Sequence, residues 1–184
     1  MVMDAVVNEI KNTLVATIKG ADDVLGALRE AVKNQIVGGV KDVGAVTTTT
    51  TKTVSSVVEG AVVSAGEIGV AVADVAGQAV GAAISAVSET GGNVTQAASD
   101  AVSGAIRGAA DVGGDVGGVA VSAVEAAVKT AGDLGKDTTE VAKETAVSAV
   151  RAADAVGAEA GKTVRSALMG VASLPKDVIE SVLK

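Results

Sequence analysis

The segment Gly157-Ala158-Glu159-Ala160-Gly161-Lys162-Thr163 has the residue types of a phosphate-binding loop: paired glycines, then a lysine and a hydroxyl. That loop needs four residues between its glycines and a preceding strand, so that consecutive backbone N–H groups wrap the phosphates. Here three residues intervene, which argues against a phosphate site. Gly113-Gly114-Asp115-Val116-Gly117-Gly118 is equally rich in glycine but lacks the spacing of a dinucleotide fingerprint. The acidic pairs Asp22-Asp23 and Glu140/Glu144 could in principle share a proton or a cation. With no His and no Cys in the chain, however, no imidazole base, thiolate or soft metal ligand joins them. Ser and Thr are abundant but have no base to activate them. Asn93-Val94-Thr95 is a glycosylation sequon, relevant only in a secretory setting. These residues therefore predict no catalytic, cofactor or metal site, and a non-enzymatic protein.

The composition narrows the partners. The 184 residues carry 15 Lys+Arg against 22 Asp+Glu, a formal net charge of -7. No basic patch stands out, so nucleic acid is not an expected partner. The chain has no Phe, Trp or Tyr, so no aromatic platform can stack a base and no ring can anchor a core. Mean hydropathy is positive, +0.47. Yet charges and glycines interrupt even the richest stretch, residues 61–86, and no transmembrane helix is expected. Met1-Val2-Met3-Asp4 has no basic start or long apolar run, so no signal peptide is expected either. The expected location is cytoplasmic or membrane-peripheral.

The elements that hold these residues follow from a repeat. An ungapped period of 22 runs through eight copies, with eight residues left over. One column reads Ile18, Val40, Val62, Ile84, Ile106, Val128, Val150; another reads Leu14, Ile36, Val58, Val80, Val102, Val124. Val24, Val46, Ile68, Val112 and Leu134 share a third, and Val72, Val94 and Val116 belong to a fourth. Gly69, Gly91, Gly113, Gly135 and Gly157 form a glycine column, and Asp23, Glu67, Glu89, Asp111 and Asp133 an acidic one. Apolar steps of four and three, as in Val102, Ile106, Ala109, Val112 and Val116, have the spacing of a helix and not the period of two of a strand. The fold class predicted is all-α.

Two helical arrangements satisfy the repeat. Twenty-two residues over six turns give about 3.67 per turn, the hendecad value of a straight or slightly right-handed helix. Because the apolar phase carries through the glycines, the expected form is a long repeat helix packing with other copies. The alternative is an antiparallel array of helices of about 18 residues, with Gly91-Gly92-Asn93 and Gly113-Gly114-Asp115 each a helix stop and a new N-cap; Gly135-Lys136-Asp137 is a weaker case. A β-solenoid fits the steps least well. In domain terms, residues 1–174 form the repeat region, with a soft Thr-rich segment at 47–53, and residues 175–184 form a short terminal helix after Pro175.

The apolar stripe is wide but shallow. Val58, Val62, Val80, Ile84, Val102, Ile106, Val112, Val116, Val124, Val128 and Val150 supply its bulk, with Gly91, Gly113 and Gly135 as hollows eleven residues away. A neighbouring helix shifted by eleven residues could seat its Val on these small residues. Arg107, Lys129 and Arg151 share the opposite, solvated side with Asp111 and Asp133, and Glu125 can pair with Lys129 one turn on. Four Val or Ile per repeat bury about 6 kcal/mol, whereas ordering 22 backbones costs about 20 kcal/mol or more. A solitary helix of this sequence would not persist and needs neighbours along its length.

The segment Asp137-Thr138-Thr139-Glu140-Val141-Ala142-Lys143-Glu144-Thr145-Ala146, set in a 22-residue period, resembles the 11/22-residue amphipathic repeats of exchangeable apolipoproteins, synucleins and group 3 late-embryogenesis-abundant proteins. That resemblance implies reversible helix formation on lipid, or protection in drying cells. The functional expectations are therefore two. The first is a structural protein that self-assembles with copies of itself, through the Ala/Gly/Val face, into a bundle, sheet or filament. The second is an amphipathic coat on a membrane, lipid or polymer-granule surface.

Overall fold

The computed structural model describes residues 24–43 and 47–183, with Asn8, Asn12, Val15 and Ala16; side chains are described for 24–39 and 52–180 within these ranges. The described chain is all-helical. Its elements are α1 (Val24–Val43), α2 (Thr47–Ile68), α3 (Val72–Glu89), α4 (Val94–Asp111), α5 (Val116–Asp133), α6 (Thr138–Val156), α7 (Ala158–Met169) and α8 (Lys176–Leu183). The chain thus takes the form of an array of short helices, and the repeat is not one continuous helix. Helices α3, α4 and α5 each have 18 residues, five turns, and the four remaining residues of each copy make the connection.

The stops have a defined chemistry. Gly69, Gly91, Gly113 and Gly135 all have positive φ, between 66° and 83°, which only glycine adopts without strain. After Gly91 the N–H of Gly92 donates to the Val87 carbonyl at 2.9 Å, and the Gly91 N–H donates to that of Ser88 at 3.1 Å. The same pair of bonds recurs at Gly113-Gly114 and Gly135-Lys136, so α3, α4 and α5 each end in a Schellman motif. Two residues later an Asx side chain starts the next helix: Asn93 accepts from the Gln96 N–H, Asp115 from Gly118, and Asp137 from Thr139 and Glu140. Ala71 holds the equivalent place before α3 and has no side chain able to cap. The Gly157 junction differs, with extended backbone and a single residue between α6 and α7.

Helices two apart in sequence run parallel. Gly77 faces Ala126 while Gly81 faces Thr130, and Gly104 faces Ser55 while Gly108 faces Glu59. Four residues cannot carry the chain back along an 18-residue helix, about 27 Å long, so successive helices alternate in direction. Each helix packs on the next and on the next but one. The result is two layers, α1-α3-α5-α7 and α2-α4-α6-α8, with the core between them. Equivalent residues in one layer are two copies, 44 residues, apart, yet Ser122 bonds the Ala73 carbonyl across 49 residues. Each helix is therefore displaced from its layer neighbour by about five residues, ~7.5 Å along the axis, and not by the eleven that the large–small alternation implies.

The apolar stripes meet between the layers. Leu28, Ile36, Ile84, Ile106 and Leu168 are the largest fully buried side chains, surrounded by Val and Ala. The buried hydroxyls of Ser64 and Thr145 bond within their own helices, Ser64 to the Gly60 carbonyl and Thr145 to those of Val141 and Ala142. No buried side-chain polar atom among the described residues lacks a partner. The neighbours that a single helix needs come from the same chain.

Candidate interaction surface

The structure divides the residues of the predicted assembly face among several roles. Val58, Val62, Val80, Ile84, Val102, Ile106, Val124 and Val150 lie in the interlayer core, and Val116 and Val128 pack half-buried against it. Val112, after α4, lies across Gly66, where an added Cβ would approach it to 2.7 Å. Gly91, Gly113 and Gly135 are exposed turn residues, and a Cβ on any of them would meet nothing within 4 Å. They stop helices and do not serve as hollows. The glycines that admit a neighbouring backbone are others: a Cβ on Gly104 would overlap the Ser55 carbonyl, and one on Gly108 would stand 2.8 Å from that of Glu59.

The polar side also departs from the expected pairing. Lys129 bridges Asp133 at 2.9 Å, while Glu125 accepts from the Ser173 hydroxyl at 3.2 Å. Arg107 reaches between helices to Glu59, Nε to Oε2 at 3.1 Å, and also donates to the Ser55 hydroxyl. The sequence reading missed that pair because Glu59 and Arg107 lie 48 residues apart, a separation that has meaning only once the stagger is known.

The segment with phosphate-loop residue types lies across the α6–α7 corner and in the first turns of α7. The Gly161 N–H donates to the Gly157 carbonyl, and the Thr163 hydroxyl to that of Glu159. Gly161 lies beneath a two-bond pair from Arg165 to Asp154, at 2.8 and 2.6 Å, where a Cβ would collide with the Asp154 carboxylate. That hydrogen-bonded guanidinium holds the Asp154 carboxyl below its usual range. Asp22-Asp23 lies outside the described residues. Glu140 and Glu144 are exposed on α6. No group of three or more acidic residues converges on a metal-sized site among the described residues. The sequon residue Asn93 is the N-cap of α4.

A groove of about 1020 Å³ runs along α3. Its floor is α3 itself, lined by Gly77, Gly81, Ala82 and Ser85, with Gly77 set against Ser122 and Gly81 against Thr130 of α5. Its walls are Arg29, Glu30 and Lys33 of α1 on one side and Glu125, Lys129 and Asp133 of α5 on the other. Small residues on the middle helix of a layer and long ones on its flanking helices make the valley. It lies on the outer face of the layer, away from the core. Among the described residues, Val156 and Met169 are the large apolar side chains left exposed, at 45% and 56%. No helix among them is long and apolar enough to cross a membrane.

Comparison with known proteins agrees with this architecture. The crystal structure of a de novo designed helical repeat protein is similar, with a TM-score of 0.56, 23% sequence identity, and coverage of 97% of this chain and 98% of that one. That likeness shows the fold: a helical repeat in which short helices pack against one another. No protein-family model matches the chain, and no curated protein matches it.

Proposed function

We propose that this chain is a non-enzymatic helical-repeat scaffold that works by holding a partner polypeptide in the groove along α3. The observation that carries the reading is the contrast between the small-residue floor and the charged walls on adjacent parallel helices. Stacked helical repeats form extended surfaces suited to such contacts. Self-association through the Val/Ala/Gly stripe, or coating of a lipid or granule surface, would require that stripe to leave the core, where Val58, Val80, Val102 and Val124 are fully buried. Two isolated apolar side chains on the described surface give neither process an adequate patch.

The reading is tested by selecting binders to the full chain from a displayed peptide library. Each is then measured against a Ser85→Trp variant, whose new ring fills the half-buried floor. Selected peptides should lose most of their affinity for the variant. Binders indifferent to it would contradict the groove as the working face.

A further inference from the structure

The wall charges of the groove do not balance, and their imbalance points to the class of partner. Lys33 is engaged by Glu89 at 2.7 Å and Lys129 by Asp133 at 2.9 Å. Arg29 donates to the Gln78 side chain at 3.3 Å. The carboxylates of Glu30, Asp74 and Glu125 also line the groove, and no cation bridges any of them among the described residues. Paired charges cancel at a distance, so an approaching segment meets three acids against Arg29 alone, on a chain of net charge -7. All three acids are exposed; Glu125 accepts a single hydrogen bond from the Ser173 hydroxyl, which leaves its charge uncompensated.

The floor selects for the same chemistry. Gly77, Gly81 and Ala82 offer little side chain, so an occupant must bring its own bulk to fill the valley. Lysine and arginine supply it: their aliphatic stems lie along apolar or small surface while the charged head reaches a carboxylate at the wall. An acidic segment would meet uncompensated like charge, and one of short side chains would leave the floor unfilled.

Resting on the groove as the working face, we infer that its partner is a Lys/Arg-bearing segment of another polypeptide, held with its basic side chains over Gly77 and Gly81 and their heads toward Glu30, Asp74 and Glu125. The probe is a fluorescently labelled alanine–lysine peptide of about 15 residues, long enough at ~1.5 Å per residue to span the groove as a helix. Its counterpart carries Glu in place of Lys. Anisotropy titrations at low ionic strength use the full chain, a Glu30→Gln/Asp74→Asn/Glu125→Gln variant, and a Glu140→Gln/Glu144→Gln/Glu159→Gln control with the same change in net charge.

The lysine peptide should bind the parent chain, weaken with added salt, and lose about tenfold in affinity on the groove triple, the combined effect of three exposed ion pairs. The control triple should change affinity less than twofold. Equal losses on both triples, or no binding of the lysine peptide, would overturn the inference. Binding of the glutamate peptide that Ser85→Trp abolishes would overturn the basic-partner inference while leaving the groove as the working face. Lysine-peptide binding unaffected by Ser85→Trp would remove both.

Discussion

Gly104 of α4 lies directly against the backbone of α2 at Ser55, so close that the Cβ of any other residue would overlap the Ser55 carbonyl oxygen. Gly108 repeats the approach one turn later against Glu59. The two helices touch along a glycine ridge, and Arg107, between the two glycines, reaches Glu59 beside it.

Because backbone cannot move aside as a side chain can, Gly104→Ala should destabilise the fold by about 2 kcal/mol, the cost of overpacking. Gly38→Ala should act in the opposite sense. Gly38 is an exposed residue of α1 whose added Cβ would meet nothing within 4 Å, and the gain is about 1 kcal/mol of helix propensity. Urea denaturation of both variants checks the contrast, which no argument from glycine content alone would yield.

The caps make a second pair of opposite expectations. Asp115→Ala and Asn93→Ala each remove an acceptor for a helix-start N–H and should cost about 1 kcal/mol. Ala71→Ser places a hydroxyl at the uncapped start of α3, where φ is -58° and ψ is 111°, and should gain about the same. Thermal unfolding monitored by circular dichroism measures all three.

Gly113→Ala tests the other use of glycine. Nothing crowds a Cβ there, but φ is 66°. The expected loss is about 1–2 kcal/mol from the left-handed backbone alone. Gly113→Asn, which tolerates that region, should recover part of it. A loss that grew with side-chain size would instead place the residue in a packed contact.

The Asp154–Arg165 pair gives a pH dependence with a definite sign. The Asp154 carboxyl titrates below its usual range in the folded chain, chiefly through the Arg165 hydrogen bonds. Its stabilising effect is therefore fully present above the ordinary carboxylate range and lost as pH falls through the lowered folded value. Asp154→Asn should lower the neutral plateau of the stability–pH curve slightly and flatten that acid limb. Denaturation midpoints collected at a series of pH values provide the check.

Helix as the secondary structure was legible in the sequence, because steps such as Val102, Ile106, Ala109 exclude strands. The 22-residue period had two readings. Val112 to Val116 continues the helical spacing across Gly113 and Gly114, so six unbroken turns fit as well as five turns and a connection. The period reports the size of the folded unit and not the phase of one helix. Nor could composition separate Gly113 from Gly104: each is one of 23 glycines, yet one reverses the chain and the other admits a neighbouring backbone. The five-residue stagger comes from those close approaches. The Glu59–Arg107 pair and the groove along α3 depend on it, so neither was visible before the helices were stacked.

The central claim is that the apolar stripe is satisfied within one chain. Sedimentation equilibrium at micromolar concentrations, with circular dichroism on the same samples before and after adding neutral vesicles, tests it most directly. The account predicts a monomer, helical in buffer alone, whose spectrum the vesicles leave unchanged. A concentration-dependent oligomer, or helix gained only when lipid is present, would contradict it.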